Sequence, residues 1–247
     1  MSYGLEALSN IDGRVLIDTE LPNMIYAGKG EAFSYEYGWY DTSVSGLCWN
    51  YKYILPNAPS EVSVTTPTKK PTVFVYTDPG VYFHMSEHYL YDFGGGYQVW
   101  VMSYWSSVEV QPTLYTFYDS VGEPSSSDTY GMRLYNSSSE LIYDTGWKIS
   151  QVKDIITIGG SSGSTSQASS TISKPAVVHY NASLKIDAPG GYWLYSNNML
   201  THDTNNLFSV ALHWTHGVQA GQPPANDYYF YDTSSRQLAV IDGADYD

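Results

Sequence analysis

Apolar and polar positions alternate over short stretches of this chain, and turn-forming residues such as Pro56, Pro59, Pro79-Gly80, Gly94-Gly95-Gly96 and Pro112 interrupt them about every ten residues. A period of two sends successive side chains to opposite faces of a strand. Phe208-Ser209-Val210-Ala211-Leu212-His213-Trp214 is the clearest case, with Phe208, Val210, Leu212 and Trp214 on one face, read as a core face. The stretch Gln98-Val99-Trp100-Val101-Met102-Ser103-Tyr104-Trp105 is apolar on both faces, which predicts a strand covered on both sides or lying against a neighbouring subunit. Strong helix formers never accumulate. The pattern predicts an all-β protein of sandwich or barrel type with long loops.

The pattern is also written twice. Tyr3-Gly4-Leu5-Glu6-Ala7-Leu8-Ser9-Asn10 leads through Asp12-Gly13 to Val15-Leu16-Ile17-Asp18-Thr19, and Tyr130-Gly131-Met132-Arg133-Leu134-Tyr135-Asn136 leads through three serines to Leu141-Ile142-Tyr143-Asp144-Thr145. The offset is 127 residues at Tyr3 and 126 at Asp18, so one turn is a residue shorter. Each opening predicts a hairpin, since Asp-Gly supplies the positive φ of a tight turn. Lys70-Pro71-Thr72-Val73 and Lys174-Pro175-Ala176-Val177 form a second anchor, each opening an apolar run. Phe117-Tyr118-Asp119-Ser120 and Phe230-Tyr231-Asp232-Thr233 form a third. Three anchors in the same order predict an internal duplication, with two tandem sandwich-like domains over 1–127 and 128–247 joined at 122–128, or alternatively two halves sharing one sandwich. The Ser- and Gly-rich stretch 159–170 is expected to be a mobile loop that supplies no core.

Composition narrows the functional classes. Tyr dominates the aromatics at 25, against 7 Trp and 7 Phe, which suits pleated surfaces. With 25 acidic and 11 basic residues the net charge is −14, so a phosphate backbone is repelled and no nucleic-acid partner is expected. No apolar run reaches the ~18 residues of a membrane helix, so no membrane insertion is expected. The single cysteine, Cys48, forms no internal disulfide and is read as a buried or idle thiol; with no signal-peptide pattern at Met1, synthesis in a reducing cytoplasm is expected. Asn136 and Asn181 then carry no glycan.

No catalytic constellation stands out along the chain. His84 with His88, and His213 with His216, lack the spacing of a zinc site, so no metal is expected and these are read as surface or loop histidines. Glu31, Glu36, Asp41, Glu87 and Asp92 lie among aromatics, as in a sugar-binding groove, yet no spacing pairs two of them as a glycosidase would need. No nucleophile elbow, phosphate loop or dinucleotide fingerprint occurs. No enzyme and no cofactor is expected. Tyr and Trp remain the candidates for contact, because they dominate interface hot spots and stack on sugar rings. The aromatics singled out are Trp39, Trp49, Tyr89, Tyr91, Trp100, Trp105, Tyr192 and Trp193.

The repeated opening, carried by Tyr3-Gly4-Leu5, Asn10-Ile11-Asp12-Gly13 and Val15-Leu16-Ile17-Asp18-Thr19, resembles the start of small β-rich tail-tip, baseplate or fibre-associated structural proteins of tailed bacteriophages. The resemblance covers about twenty residues at the start of each half. It implies a virion tail location, with other tail proteins as partners in multiple copies; the tyrosine and tryptophan clusters, and not the resemblance, make host surface glycan the alternative partner. It carries over no binding residue.

Overall fold

The computed structural model describes residues 6–8, 15–18, 24–37, 49–61, 63–85, 88–119, 133–135, 139, 141–144, 146–160, 162–178, 184–187, 192–219, 229–230 and 235–247. The first half supplies β1 (Glu6–Leu8), β2 (Val15–Asp18), β3 (Met24–Lys29), β4 (Glu31–Tyr37), β5 (Trp49–Ile54), β6 (Thr72–Tyr76), β7 (Phe83–Met85), β8 (Tyr89–Asp92), β9 (Gln98–Ser106) and β10 (Thr113–Asp119). The second supplies β11 (Arg133–Tyr135), β12 (Leu141–Asp144), β13 (Val152–Gly159), β14 (Thr165–Gln167), β15 (Pro175–Val177), β16 (Leu184–Asp187), β17 (Tyr192–His202), β18 (Leu207–Gln219), β19 (Tyr229–Phe230) and β20 (Ser235–Asp242). The only helical elements among the described residues are the 3₁₀ turns Pro59–Glu61 and Gly243–Tyr246. The protein is all-β, and no described helix is long and apolar enough to cross a membrane.

Both opening hairpins form, and they form alike. Glu6 pairs with Asp18 and Ala7 with Ile17, after which a bulge brings Leu8 opposite Val15; Arg133 pairs with Asp144 and Leu134 with Tyr143, after which a bulge brings Tyr135 opposite Leu141. Register and bulge position coincide. In the second hairpin the buried Asp144 carboxylate accepts from Arg133 Nε at 2.7 Å and from the Gly146 N–H at 2.8 Å, fixing the exit turn.

Two larger sheets form a sandwich. The six-stranded sheet runs β13-β20-β15-β6-β10-β3, and the main path of the ten-stranded sheet runs β14-β18-β17-β7-β9-β5-β4. Each sheet holds second-half strands on one side and first-half strands on the other. The seams are antiparallel, Val177 opposite Val75 in one sheet and Leu200 opposite Phe83 in the other. About these seams the order is symmetric, with β6 facing β15, β10 matching β20 and β3 matching β13. The Lys-Pro anchors therefore mark the two central strands, β6 and β15. The third anchor does not hold: Phe117-Tyr118-Asp119 lies on β10 of the six-stranded sheet, whereas Phe230 ends β19 of the ten-stranded one. Tyr-rich strands resemble one another in composition whatever their place in the fold.

One core lies between the sheets. Val73, Val75, Leu114, Val177, Leu238 and Val240 face Tyr51, Phe83, Met85, Met102, Tyr104, Leu200 and Phe208 from the opposite sheet. The expected inward face of β18 is thus confirmed at Phe208 and Val210; the side chains of Leu212 and Trp214 fall outside the described residues. The opposite face of the six-stranded sheet is also apolar, with Phe74, Tyr115, Phe117, Ala176 and Ile241 gathered around Tyr246. It is covered because the sheet curls. Residues 148–150 pair with the free edge of β3, through Tyr26 N–H to Lys148 O at 2.7 Å and Ser150 N–H to Met24 O at 2.8 Å, yet Val152 already pairs with Ile241 at the far side. Laid flat, those positions would be about 29 Å apart at ~4.8 Å per strand. Three residues reach only about 10 Å, so the edges must roll together.

The Ser- and Gly-rich stretch departs from its expected loop. Thr165–Gln167 forms edge strand β14 on β18, and Ala168 is buried in the core. Small side chains leave the main chain free to extend the sheet, with Gly163 N–H bonding Val210 O at 2.7 Å.

Candidate functional site

The most conspicuous exposed feature is the hairpin β8–β9. Tyr89, Tyr91 and Phe93 follow at period two, and all four residues of β8 are exposed. Its turn uses three consecutive glycines, Gly94, Gly95 and Gly96, with φ of 93°, 67° and 80°. Nothing stands within 4 Å of where their Cβ atoms would lie, so the backbone conformation, not crowding, calls for glycine there. Asp92 Oδ1 accepts from the Gly94 N–H at 2.6 Å, and Phe93 N–H reaches Tyr97 O at 3.0 Å.

The hairpin brings its rings onto β4. Phe93 lies 4.9 Å from Tyr91 and 5.9 Å from Phe33, centroid to centroid, and Tyr91 lies 6.2 Å from Phe33, with the planes tilted by 51° to 68°. These edge and tilted contacts satisfy the ring quadrupoles. The cluster stays wet: Phe93 and Tyr97 are each 49% exposed, Tyr89 and Tyr91 each 40%. Leu90 adds to the same exposed strand. Single exposed apolar residues are ordinary, but a contiguous exposed group of large ones marks a contact surface.

The base of the hairpin is held by a buried carboxylate. Glu61 accepts from the Thr68 hydroxyl at 2.6 Å and from the N–H groups of Thr68 and Lys69 at 3.1 Å each. Burial pushes the Glu61 carboxyl up, and these donors outweigh it, so it titrates below its ordinary range. The loop so fixed carries Thr65, whose carbonyl accepts from Gln98 N–H at 2.7 Å at the start of β9.

The sandwich closes without this extension. Phe83 opposite Ser106 and Met85 opposite Tyr104 in the first half match Leu200 opposite Val210 and His202 opposite Phe208 in the second. There the hairpin turns at once through Asp203-Thr204-Asn205-Asn206, with Asp203 Oδ1 accepting from Asn205 and Leu207 N–H groups. In the first half the chain runs on through β8 and back. The aromatic tip is an addition to a hairpin the fold completes elsewhere.

Of the aromatics singled out by sequence, Tyr89 and Tyr91 belong to the exposed cluster. Trp49 and Trp100 are only partly buried but pack against the sandwich core, Trp100 with its ring 5.3 Å from that of His88, and Trp105 is half-buried on β9. Tyr192 and Trp193 lie on β17, with side chains outside the described residues, as is all of Trp39. Sequence reasoning passed over Phe93, Tyr97 and Phe33. Phe93 was legible as the next position of the Tyr89, Tyr91 alternation; Phe33 carried no signal, since β4 meets the hairpin only in three dimensions.

Other candidates sort plainly. His84 and His88 are buried, where surface or loop histidines were expected: His84 sits on β7 paired with Trp105 of β9, and His88, in the loop before β8, packs its ring edge-on against Trp100. His202 is buried as well, its Nε2 2.9 Å from Thr77 O and its Nδ1 3.0 Å from Asp203 O, which ties β17 to the loop after β6 across the seam. Glu31 and Asp92 are exposed, while Cys48, Asp41 and Glu87 lie outside the described residues, as does the Glu36 side chain. Among the described residues no three His, Cys, Asp or Glu side chains are grouped to hold a metal ion.

Comparison with protein-family models, with curated proteins and with solved structures returns no match. The chemistry of the hairpin is then that of its own groups: exposed rings for packing, and phenol hydroxyls and the Asp92 carboxylate for hydrogen bonding.

Proposed function

We propose that this chain is a non-enzymatic structural component of a bacteriophage distal tail, in the baseplate, tail tip or fibre attachment, assembling with other virion proteins. The observation that carries the contact role is the exposed Phe33, Tyr91 and Phe93 cluster on a hairpin extension that the sandwich does not need. Aromatic anchors of this kind supply most of the binding energy in protein interfaces. The tail assignment is supported by the repeated opening motif, and the matching register and bulge of its two hairpins support reading the chain as an internal duplication. The symmetric strand order about both seams supports the duplication independently.

Purified particles of a phage carrying this gene provide the test. Antibody to the chain is expected to label the distal tail, and its absence from particles overturns the assignment. A second reading, a module that attaches to host surface glycan, is favoured by the same exposed rings.

A further inference from the structure

We propose that the aromatic cluster of the β8–β9 hairpin is a binding site for a neutral saccharide chain. The proposal rests on reading this hairpin as the contact surface of a tail component. Three observations converge on that ligand. First, the rings of Phe33, Tyr91 and Phe93 gather in a triangle 4.9 to 6.2 Å on a side while staying 37% to 49% exposed, a compact aromatic platform on which one sugar of a chain can pack. Sugar rings present C–H faces, which pack on the electron-rich faces of Tyr and Phe.

Second, hydrogen-bonding groups flank the rings and are uncommitted. The hydroxyls of Tyr89, Tyr91 and Tyr97 have no hydrogen-bond partner among the described residues. Glu31 lies two residues from Phe33 on β4 and is exposed. Carboxylates and phenols are the acceptors and donors that sugar hydroxyls require, whereas a purely apolar protein anchor would leave them unpaired.

Third, charge selects the class. Glu31 borders the cluster on a chain of net charge −14, which repels uronate, phosphate and sulfate polymers and is indifferent to neutral hexoses.

Native electrophoresis of the full chain through gels containing dextran, mannan, laminarin or neutral polysaccharide from the host envelope tests the site, with polygalacturonate as the anionic comparator. At least one neutral polymer is expected to retard the protein, and polygalacturonate is not. Tyr91→Ala with Phe93→Ala should weaken retardation at least ten-fold, and so should Tyr97→Ala alone, at a position 49% exposed. Leu207→Ala, exposed on β18 away from the site, should change nothing. Retardation by no neutral polymer, or unchanged retardation of the variants, overturns the proposal. Loss of the double variant from assembled particles with saccharide binding intact would assign the hairpin to a virion protein instead. Saccharide binding by a chain absent from particles would uphold the site and sink the tail assignment, so the two failures are distinct.

Discussion

At the scale of single residues, the core is unusual for how many tyrosine hydroxyls it must accommodate. Several find partners: Tyr118 Oη donates to Pro56 O at 2.7 Å, and Tyr246 Oη donates to Ile149 O at 2.9 Å while accepting from Gln151 N–H. Burial pushes the Tyr246 hydroxyl up to about 12. Tyr53 differs, being buried with its Oη unpartnered among the described residues, and burial raises its hydroxyl further. An unmet buried hydroxyl costs about 1–3 kcal/mol, so Tyr53→Phe is expected to raise stability by roughly 1 kcal/mol, read as a higher urea midpoint. Glu61 argues the other way. Its folded pKa is depressed, so the stability it contributes is present above the ordinary Glu range and lost as pH falls through the lowered folded value. Unfolding free energy measured from pH 6 downwards should fall toward acid in the wild type. Glu61→Gln should be less stable by about 1.5–3 kcal/mol at pH 6, and flatter over the same range.

At the scale of elements, the closing turn Gly243–Tyr246 shows how the curled sheet is sealed. Asp242 caps it, accepting from Ala244 N–H at 3.1 Å and from the Ser173 and Lys174 N–H groups, so that burial of its carboxyl is outweighed and its pKa falls. Beyond it the Asp247 side chain is bonded by Lys174, by Lys29 at 2.9 Å and by Tyr115 Oη at 3.0 Å, which holds its carboxyl well below the usual range. Gly243 sits against the Tyr115 ring, where an added Cβ would lie 2.5 Å from Oη and 2.7 Å from two ring carbons. The ring is itself fully buried and cannot swing away. Gly243→Ala should therefore cost about 1–3 kcal/mol, seen as a lowered Tm, and Tyr115→Phe in the same chain should recover part of it. None of this was legible in sequence, since Asp242, Ser173 and Lys29 are far apart along the chain. What periodicity could reveal, it did: β18's inward face, the strand character of β9, both opening hairpins, and the starts of β6 and β15 after Lys-Pro. It failed where main-chain pairing overrode composition, as in β14, and where aromatic contacts joined distant strands, as at Phe33.

At the scale of the whole molecule, the shared sheets decide how the protein comes apart. Residues 1–127 and 128–247 each contribute to both large sheets, and the central pairs Val75 with Val177 and Phe83 with Leu200 lie on the seams. Separating the halves would expose the edges of β6 and β7 together with buried Val73, Val75 and Phe83. Strand edges and core side chains cannot be left to solvent without losing most of the burial that stabilises either half. The chain should thus unfold as one cooperative unit even though its opening motif occurs twice. Calorimetric and van't Hoff enthalpies are expected to agree, and tryptophan fluorescence and far-ultraviolet dichroism to report one urea midpoint. A protease site inserted between residues 122 and 128 gives a sharper test: after cleavage the two fragments should co-elute under native conditions and part only in denaturant. Two separated transitions, or fragments that elute apart while each keeps its β signal, would show that the seams contribute little and that the halves are independent domains.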